Sequence, residues 1–197
     1  IIHATVLTKD GQRMSKSKGT GIDPMKLIET YGADATRFGL VWMSFGGQDM
    51  KFGEEPMIAG KKFLNKLWNA SRFVLQKTGG SIAADFPAAP QIIQNASMVE
   101  SVHAVIKTIE DCIERYEFGQ ALHTAHEFFW HTFCDQYIEW AKKQEDEETK
   151  QVLGATLIAA LRLLHPFVPF ATEALWQHIR KDNWAKQLMV AEWPSAH

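Results

Sequence analysis

Apolar residues recur at three- and four-residue intervals along most of the chain, the period of helices that turn one face to a core. Between Glu54 and Lys77 the series Met57, Phe63, Leu64, Leu67, Trp68, Ser71 and Val74 predicts one long helix, with Trp68 in its buried stripe and Gly79-Gly80 at its end. Ser97 is the expected cap of a helix reaching about Tyr116, with Val102, Ile106, Ile109 and Ile113 on one face. Gly119 resets the chain before an aromatic-rich helix over 120–143, and the acidic run Glu145–Glu148 reads as a solvated turn. A further helix runs from Thr149 to His165, stopped by Pro166, and Pro169 opens a last one reaching Arg180. Four amphipathic helices with short connections predict an antiparallel bundle.

The front of the chain reads differently. Ile1–Thr8 is β-rich and partly alternating, and Asp10-Gly11 marks a turn. Ser15–Gly21 is polar, basic and glycine-containing, hence a loop. Asp23-Pro24 signals a helix start, Asp as cap and Pro at the first helical position, and Gly32 ends that helix. A second helix is expected from Asp34 to Met43, and residues 80–95, with Pro87 and Pro90, form a linker. The predicted fold is mainly α: a short β and loop segment, then a helical bundle.

With 46% hydrophobic and 22% charged residues among 197, the composition is that of a folded chain with a sizeable core, not a disordered one. No uninterrupted apolar run reaches the ~18 residues of a membrane-spanning helix, so no membrane role is expected. Two cysteines, Cys112 and Cys134, without metal-ligand spacing around them, fit a reducing, cytoplasmic setting. The chain opens on Ile1 in what reads as mid-strand, and a piece of a longer polypeptide is expected. Charge is divided: residues 1–80 carry 12 Lys/Arg against 7 Asp/Glu, and residues 81–197 carry 9 against 16. The basic front can meet phosphate, while the acidic remainder repels it.

The densest chemistry lies in Arg13-Met14-Ser15-Lys16-Ser17-Lys18-Gly19, where three cations and two hydroxyls fall within six residues. Ammonium groups are flexible point charges that follow phosphate, hydroxyls and loop amides add donors, and Gly19 permits close backbone approach. The spacing is not that of a Walker loop. His123, His126, Glu127 and His131 are near one another in sequence but lack a convincing third ligand. They read as structural histidines, and no metal site is expected.

Arg13-Met14-Ser15-Lys16-Ser17 resembles the Lys-Met-Ser-Lys-Ser signature of class I aminoacyl-tRNA synthetases. Ile22-Asp23-Pro24 and Tyr31-Gly32-Ala33-Asp34-Ala35-Thr36-Arg37-Phe38 continue the pattern of its valine, isoleucine and leucine members. The segments 47–52, 63–73, 133–140 and 164–170 are most similar to the valine-specific branch, with an isoleucine or leucine enzyme, or a stand-alone tRNA-binding module, as alternatives. Arg13 departs from the usual Lys with charge kept, and Thr20-Gly21 replaces the usual Asn-Val.

The resemblance implies the end of a Rossmann-type catalytic domain with a stem-contact region over residues 1–53, and a helical anticodon-binding domain over residues 54–197. It implies ATP-dependent attachment of valine to tRNA(Val), with Mg2+ accompanying ATP, by a monomeric full-length enzyme of which this stretch alone is inactive. Lys16 then takes the catalytic role of stabilising charge on pyrophosphate. Arg13, Met14, Ser15, Lys16 and Ser17 form the ATP loop, and Arg72, Asn69, Lys66 and Lys62 on the long helix contact the RNA.

Overall fold

In the computed structural model, which describes residues 5–15, 19–45 and 49–195, Asp23 opens the first helix: its Oδ1 accepts from the Met25 N–H at 2.9 Å, and Pro24 stands in the first turn. This helix, α1 (Pro24–Tyr31), ends at Gly32, whose φ of 90° only glycine adopts readily. α2 (Ala33–Met43) follows at once. Before them β1 (Val6–Leu7) pairs in parallel with β2 (Met50–Lys51), Val6 opposite Met50 and Leu7 opposite Lys51. Then come α3 (Glu55–Lys77), α4 (Ile93–Glu114) and α5 (Phe118–Glu127). α5 continues into a π-helical segment (Phe128–Ile138) and closes in the short α6 (Glu139–Ala141). α7 (Glu147–Leu164), α8 (Pro169–Ile179) and a 3-10 turn (Leu188–Val190) complete the order.

One large core runs through α2 to α8 and includes Phe38, Phe63, Leu67, Ile106, Phe129, Phe133, Leu157 and Trp176. A second, small cluster of Leu27, Phe52 and Met57 sits under the sheet, with Met14 packed against it. α2 and α3 cross closely. A Cβ on Gly60 would lie 2.9 Å from Phe38 Cδ1 and 3.1 Å from the Ala35 carbonyl oxygen, and one on Gly39 would lie 2.9 Å from the Met57 nitrogen. Two small positions therefore set this interhelical distance, since a packed interior has no slack for a methyl group.

The structure corrects several expectations. α4 starts four residues before Ser97, because its N-terminus is satisfied from elsewhere: Glu148 accepts from the Gln91 N–H at 2.9 Å, from the Ile92 N–H at 3.0 Å and from Asn95 Nδ2 at 2.8 Å. The acidic run is thus not a solvated turn. Asp146 caps α7 through the Thr149 N–H at 2.7 Å, and Glu148 serves α4. Gly119 lies inside a helix rather than before one. A Cβ there would stand 2.6 Å from the Phe45 nitrogen, so glycine lets α5 meet the end of α2. Trp68 is 40% exposed, because the inward face of α3 is taken by Leu67, Ala70, Ser71 and Val74.

Around Glu148 lies a polar knot in which fully buried Asn95 accepts from the Tyr137 hydroxyl at 2.6 Å and its amide faces Thr149 Oγ1 at 3.2 Å. Hydrogen bonds from Asn95 first, then from the Gln91 and Ile92 amides, hold the Glu148 carboxyl below the usual range. A carboxyl depressed in the folded state contributes stability above its unfolded value, about 4.3, and loses it as pH falls through the lower folded value. Glu148→Gln is therefore expected to lower the thermal midpoint at neutral pH, with the gap to the parent closing on acidification below about pH 4. Circular-dichroism melts over a pH series check this, and a gap that does not change with pH would refute it.

Candidate nucleic-acid interface

α3 displays its outward face along its whole length, with Lys61, Lys62, Asn65, Asn69, Arg72 and Gln76 exposed. At 100° per residue, Lys62, Asn69, Arg72 and Gln76 share one side of the helix. Asn69, Arg72, Phe73 and Gln76 line a shallow recess of about 400 Å³. Two of the sequence-predicted residues, Asn69 and Arg72, are brought together there. Gln76 was not foreseen, although its spacing of four from Arg72 and seven from Asn69 carried the signal. Trp68, four residues before Arg72, flanks the same face, its ring 6.2 Å from that of His178.

The cations of α3 are not equivalent. Lys66 Nζ is 2.6 Å from Asp135 Oδ1 and stands 4.3 Å above the Trp130 ring centre. The bond from Lys66, with His131 adding to it, holds the Asp135 carboxyl below its usual value. Lys77 Nζ is 2.6 Å from Glu145 Oε1 and also donates to the Lys142 carbonyl at 3.3 Å. Lys61, Lys62 and Arg72 make no side-chain hydrogen bond or ion pair among the described residues. Free positive charge on α3 is thus concentrated on these three.

The basic segment begins beside the small core. A turn folds Leu7 back on Arg13: Gly11 N–H donates to the Thr8 carbonyl at 2.9 Å, and Thr8 N–H donates to that of Gln12 at 2.8 Å. Arg13 is exposed, while Met14 packs on the small cluster beside Leu27, Phe52 and Met57. The Ser15 N–H donates to Thr20 Oγ1 at 2.9 Å and the Thr20 N–H to the Ser15 carbonyl at 3.2 Å, so the two feet of the loop are tied together. Lys16, Ser17 and Lys18 lie outside the described residues. Thr20 supplies this closure through its hydroxyl.

The histidines of α5 have packing partners. His123 stacks on Trp42 with ring centres 3.5 Å apart, and His126 lies 5.2 Å from Phe63 and 5.4 Å from Trp130. Groups of three ligands able to hold a metal do not occur among the described residues. Buried Cys134 has its thiol pushed up to about 12 by burial, which leaves it an inert apolar filler. Helices long and apolar enough to cross a membrane are absent among the described residues.

Burial lowers the His126 pKa, the effect of nearby Glu127 working against it. The Nδ1 atom is 3.4 Å from Glu127 Oε1 and makes no well-formed hydrogen bond. The imidazole is therefore expected to titrate below about 6.5, the ordinary histidine value. Its contribution to stability is complete above that value and lost as pH falls through the lower folded one. Ring-proton NMR over a pH series measures this directly, and a midpoint at or above the ordinary value would contradict it.

Residues 95–197 match the family model described as the anticodon-binding domain of tRNA ligase, and residues 1–53 match that of tRNA synthetases class I (I, L, M and V). The chain is 40% identical over 205 residues to the valine–tRNA ligase of Listeria monocytogenes and 39% identical over 205 residues to that of Enterococcus faecalis, in both cases across 100% of this chain. It spans 23% of the length of these relatives. Among solved structures, the LeuRS–tRNA–LeuAMS ternary complex of Agrobacterium radiobacter K84 superimposes with a TM-score of 0.83 over 98% of this chain and 23% of that one. At 21% identity that likeness establishes the shared fold.

Proposed function

The chain belongs to the family of anticodon-binding domains of tRNA ligases, and we propose that it supplies the tRNA-binding bundle and the phosphate loop of a valine–tRNA ligase. In that reading the full-length protein is a cytoplasmic monomer. It joins valine to ATP as valyl-adenylate with release of pyrophosphate, then passes the acyl group to tRNA(Val). Magnesium enters with ATP and shares the polyphosphate charge.

The observation that carries the RNA side of the proposal is the pairing of Arg72 and Asn69 over one recess, with no acid neutralising Arg72 among the described residues. A guanidinium offers a planar fork of donors to a base edge, an amide offers donor and acceptor together, and unpaired RNA bases are read in this manner. Exposed Trp68 adds a stacking surface next to them. Lys62, free of an ion pair among the described residues, is the phosphate contact. Lys66 makes a weaker one, because Asp135 already holds its charge. Support for valine over isoleucine or leucine comes from the end-to-end similarity to valine–tRNA ligases.

For the loop, Lys16 is the residue proposed to stabilise charge developing on pyrophosphate. The Ser15–Thr20 closure and the Met14 anchor hold the loop's two feet. Arg13, Ser15 and Ser17 add donors around the same phosphates. The bonds that form and break are those of valine carboxylate attacking the α-phosphorus, with pyrophosphate leaving.

Two measurements test these roles. Titration of the chain with tRNA(Val) and with an anticodon-altered transcript, at several salt concentrations, should show preference for the former. Arg72→Ala should remove that preference, about 1–3 kcal/mol for a lost two-point base contact. Lys62→Ala should weaken both RNAs equally and flatten the salt dependence by about 0.7. Equal weakening of both RNAs by Arg72→Ala would defeat the base-reading role. In the full-length enzyme, Lys16→Ala should slow valine-dependent pyrophosphate exchange by about 100- to 1,000-fold, the scale of one lost transition-state donor. An unchanged rate would defeat the phosphate role.

A further inference from the structure

The connector between α3 and α4 is laid against α7. Ile82 is fully buried, a Cβ on Gly154 would lie 3.0 Å from its Cγ2, and Gln151 Nε2 donates to the Asp85 carbonyl at 3.1 Å. Between this connector, α4 and α7 a cavity of about 320 Å³ remains, at the small end of the range for small-molecule sites. Phe86, Val99, Ile106, Ala155, Ile158 and Ala159 give it apolar walls.

Arg162, from the last turn of α7, also lines this cavity. Its Nε is buried and has no acceptor among the described residues. The guanidinium carbon is 5.9 Å from the Trp176 ring centre, a contact that leaves the in-plane donors unused. Desolvation lowers the Arg162 pKa while Glu192 and Asp85 raise it from a distance, and neither acid forms an ion pair with it among the described residues. Arginine does not discharge in proteins, so the positive charge persists with its Nε donor unfilled.

We infer that this cavity binds a compact monocarboxylate with an apolar body, its oxygens accepting from Arg162 and its body packed between Phe86, Ile106 and Ile158. Guanidinium and carboxylate match in planar two-point geometry. Asp85 itself lines the cavity and Glu192 is within Coulomb range, so a dianion such as phosphate meets more repulsion there than a monocarboxylate does. Acetate satisfies the cation and leaves the walls bare, whereas an uncharged aromatic fills the walls and leaves the cation bare.

The test is an NMR titration of the isotopically labelled chain with benzoate, acetate, inorganic phosphate and benzyl alcohol, following the Arg162 Nε–H signal. Benzoate should give a saturable shift about tenfold tighter than acetate, because the ring buries surface that acetate lacks. Phosphate and benzyl alcohol should give none. Arg162→Gln should abolish the benzoate response at the Phe86 and Ile158 amides. Ala159→Met fills the cavity from its wall with the cation kept, and it should abolish the response as well. Phosphate binding as tightly as benzoate, a shift that never saturates, or an undiminished response in Ala159→Met would each overturn the inference. Should Arg162→Gln fail to fold, the parent's own Nε–H signal and the Ala159→Met variant still decide.

Discussion

The carboxylate of Asp34 joins the two ends of this molecule. It stands at the start of α2, is 6% exposed, and accepts from the backbone N–H groups of Phe170 at 3.2 Å and Ala171 at 2.6 Å. Those amides open α8, whose first turn has no intrahelical partners for them. Pro169 removes one unsatisfied donor from that turn, and Asp34 meets two more across 136 and 137 residues of sequence. Three residues further along α2, Arg37 donates to the Pro166 carbonyl at 2.9 Å and takes up the exit of α7. Hydrogen bonds to an ionised group are roughly twice as strong as neutral ones, so the clamp is both directional and strong.

From that clamp the placement of α3 follows. α2 is held against the α7–α8 corner, and its glycine-lined crossing with α3 fixes where the long helix passes. The His123, His126, Trp42 and Phe63 rings then fill the seam between α2, α3 and α5. With the inward stripe of α3 committed to the core, Lys62, Asn69 and Arg72 have only one direction left to face. The same α2 is preceded by α1, whose Leu27 shares the small cluster with Met14. The packing of the bundle thus extends to the foot of the basic loop.

Local chemistry made much of this legible in the sequence. Asp23-Pro24 marked α1 because cap and first-turn proline act within three residues, and the stripe of α3 marked its bounds to within one residue at the N-terminus. What failed depended on partners distant in sequence. The start of α4 rests on Glu148, more than fifty residues away, so no local signal at Ile92 announced it. Gly119 looked like a break because glycine usually is one, and only the end of α2 explains its place inside a helix. Trp68 fitted the helical period as well as its neighbours did, and the choice was made by small residues, Ala70 and Ser71, taking the tight inner contacts. Of the candidate site, Asn69 and Arg72 were legible as neighbours on one helix face, whereas the capture of Lys66 by Asp135 was not, because those residues lie 69 apart.

That capture changes how the charge of the front half acts. A sequence count of five excess positive charges over residues 1–80 treats every lysine as available to phosphate. Lys66 and Lys77 each have a carboxylate at 2.6 Å, and an incoming phosphate must displace that partner or accept its repulsion at close range. The Lys66 pair is partly shielded, with side-chain exposures of 27% and 44%, and Trp130 holds the ammonium from the other side. Salt screens exposed charges more than shielded ones, so the pair persists under conditions in which a loose surface contact to RNA weakens. The electrostatic attraction of α3 is thereby narrowed from a stripe to the segment carrying Lys61, Lys62 and Arg72, with Asp135 facing α3 from the π-helical side. A narrow positive segment fixes where along the helix a polyanion sits. A uniform stripe would let it slide, and register is what the base-reading role proposed for Arg72 requires.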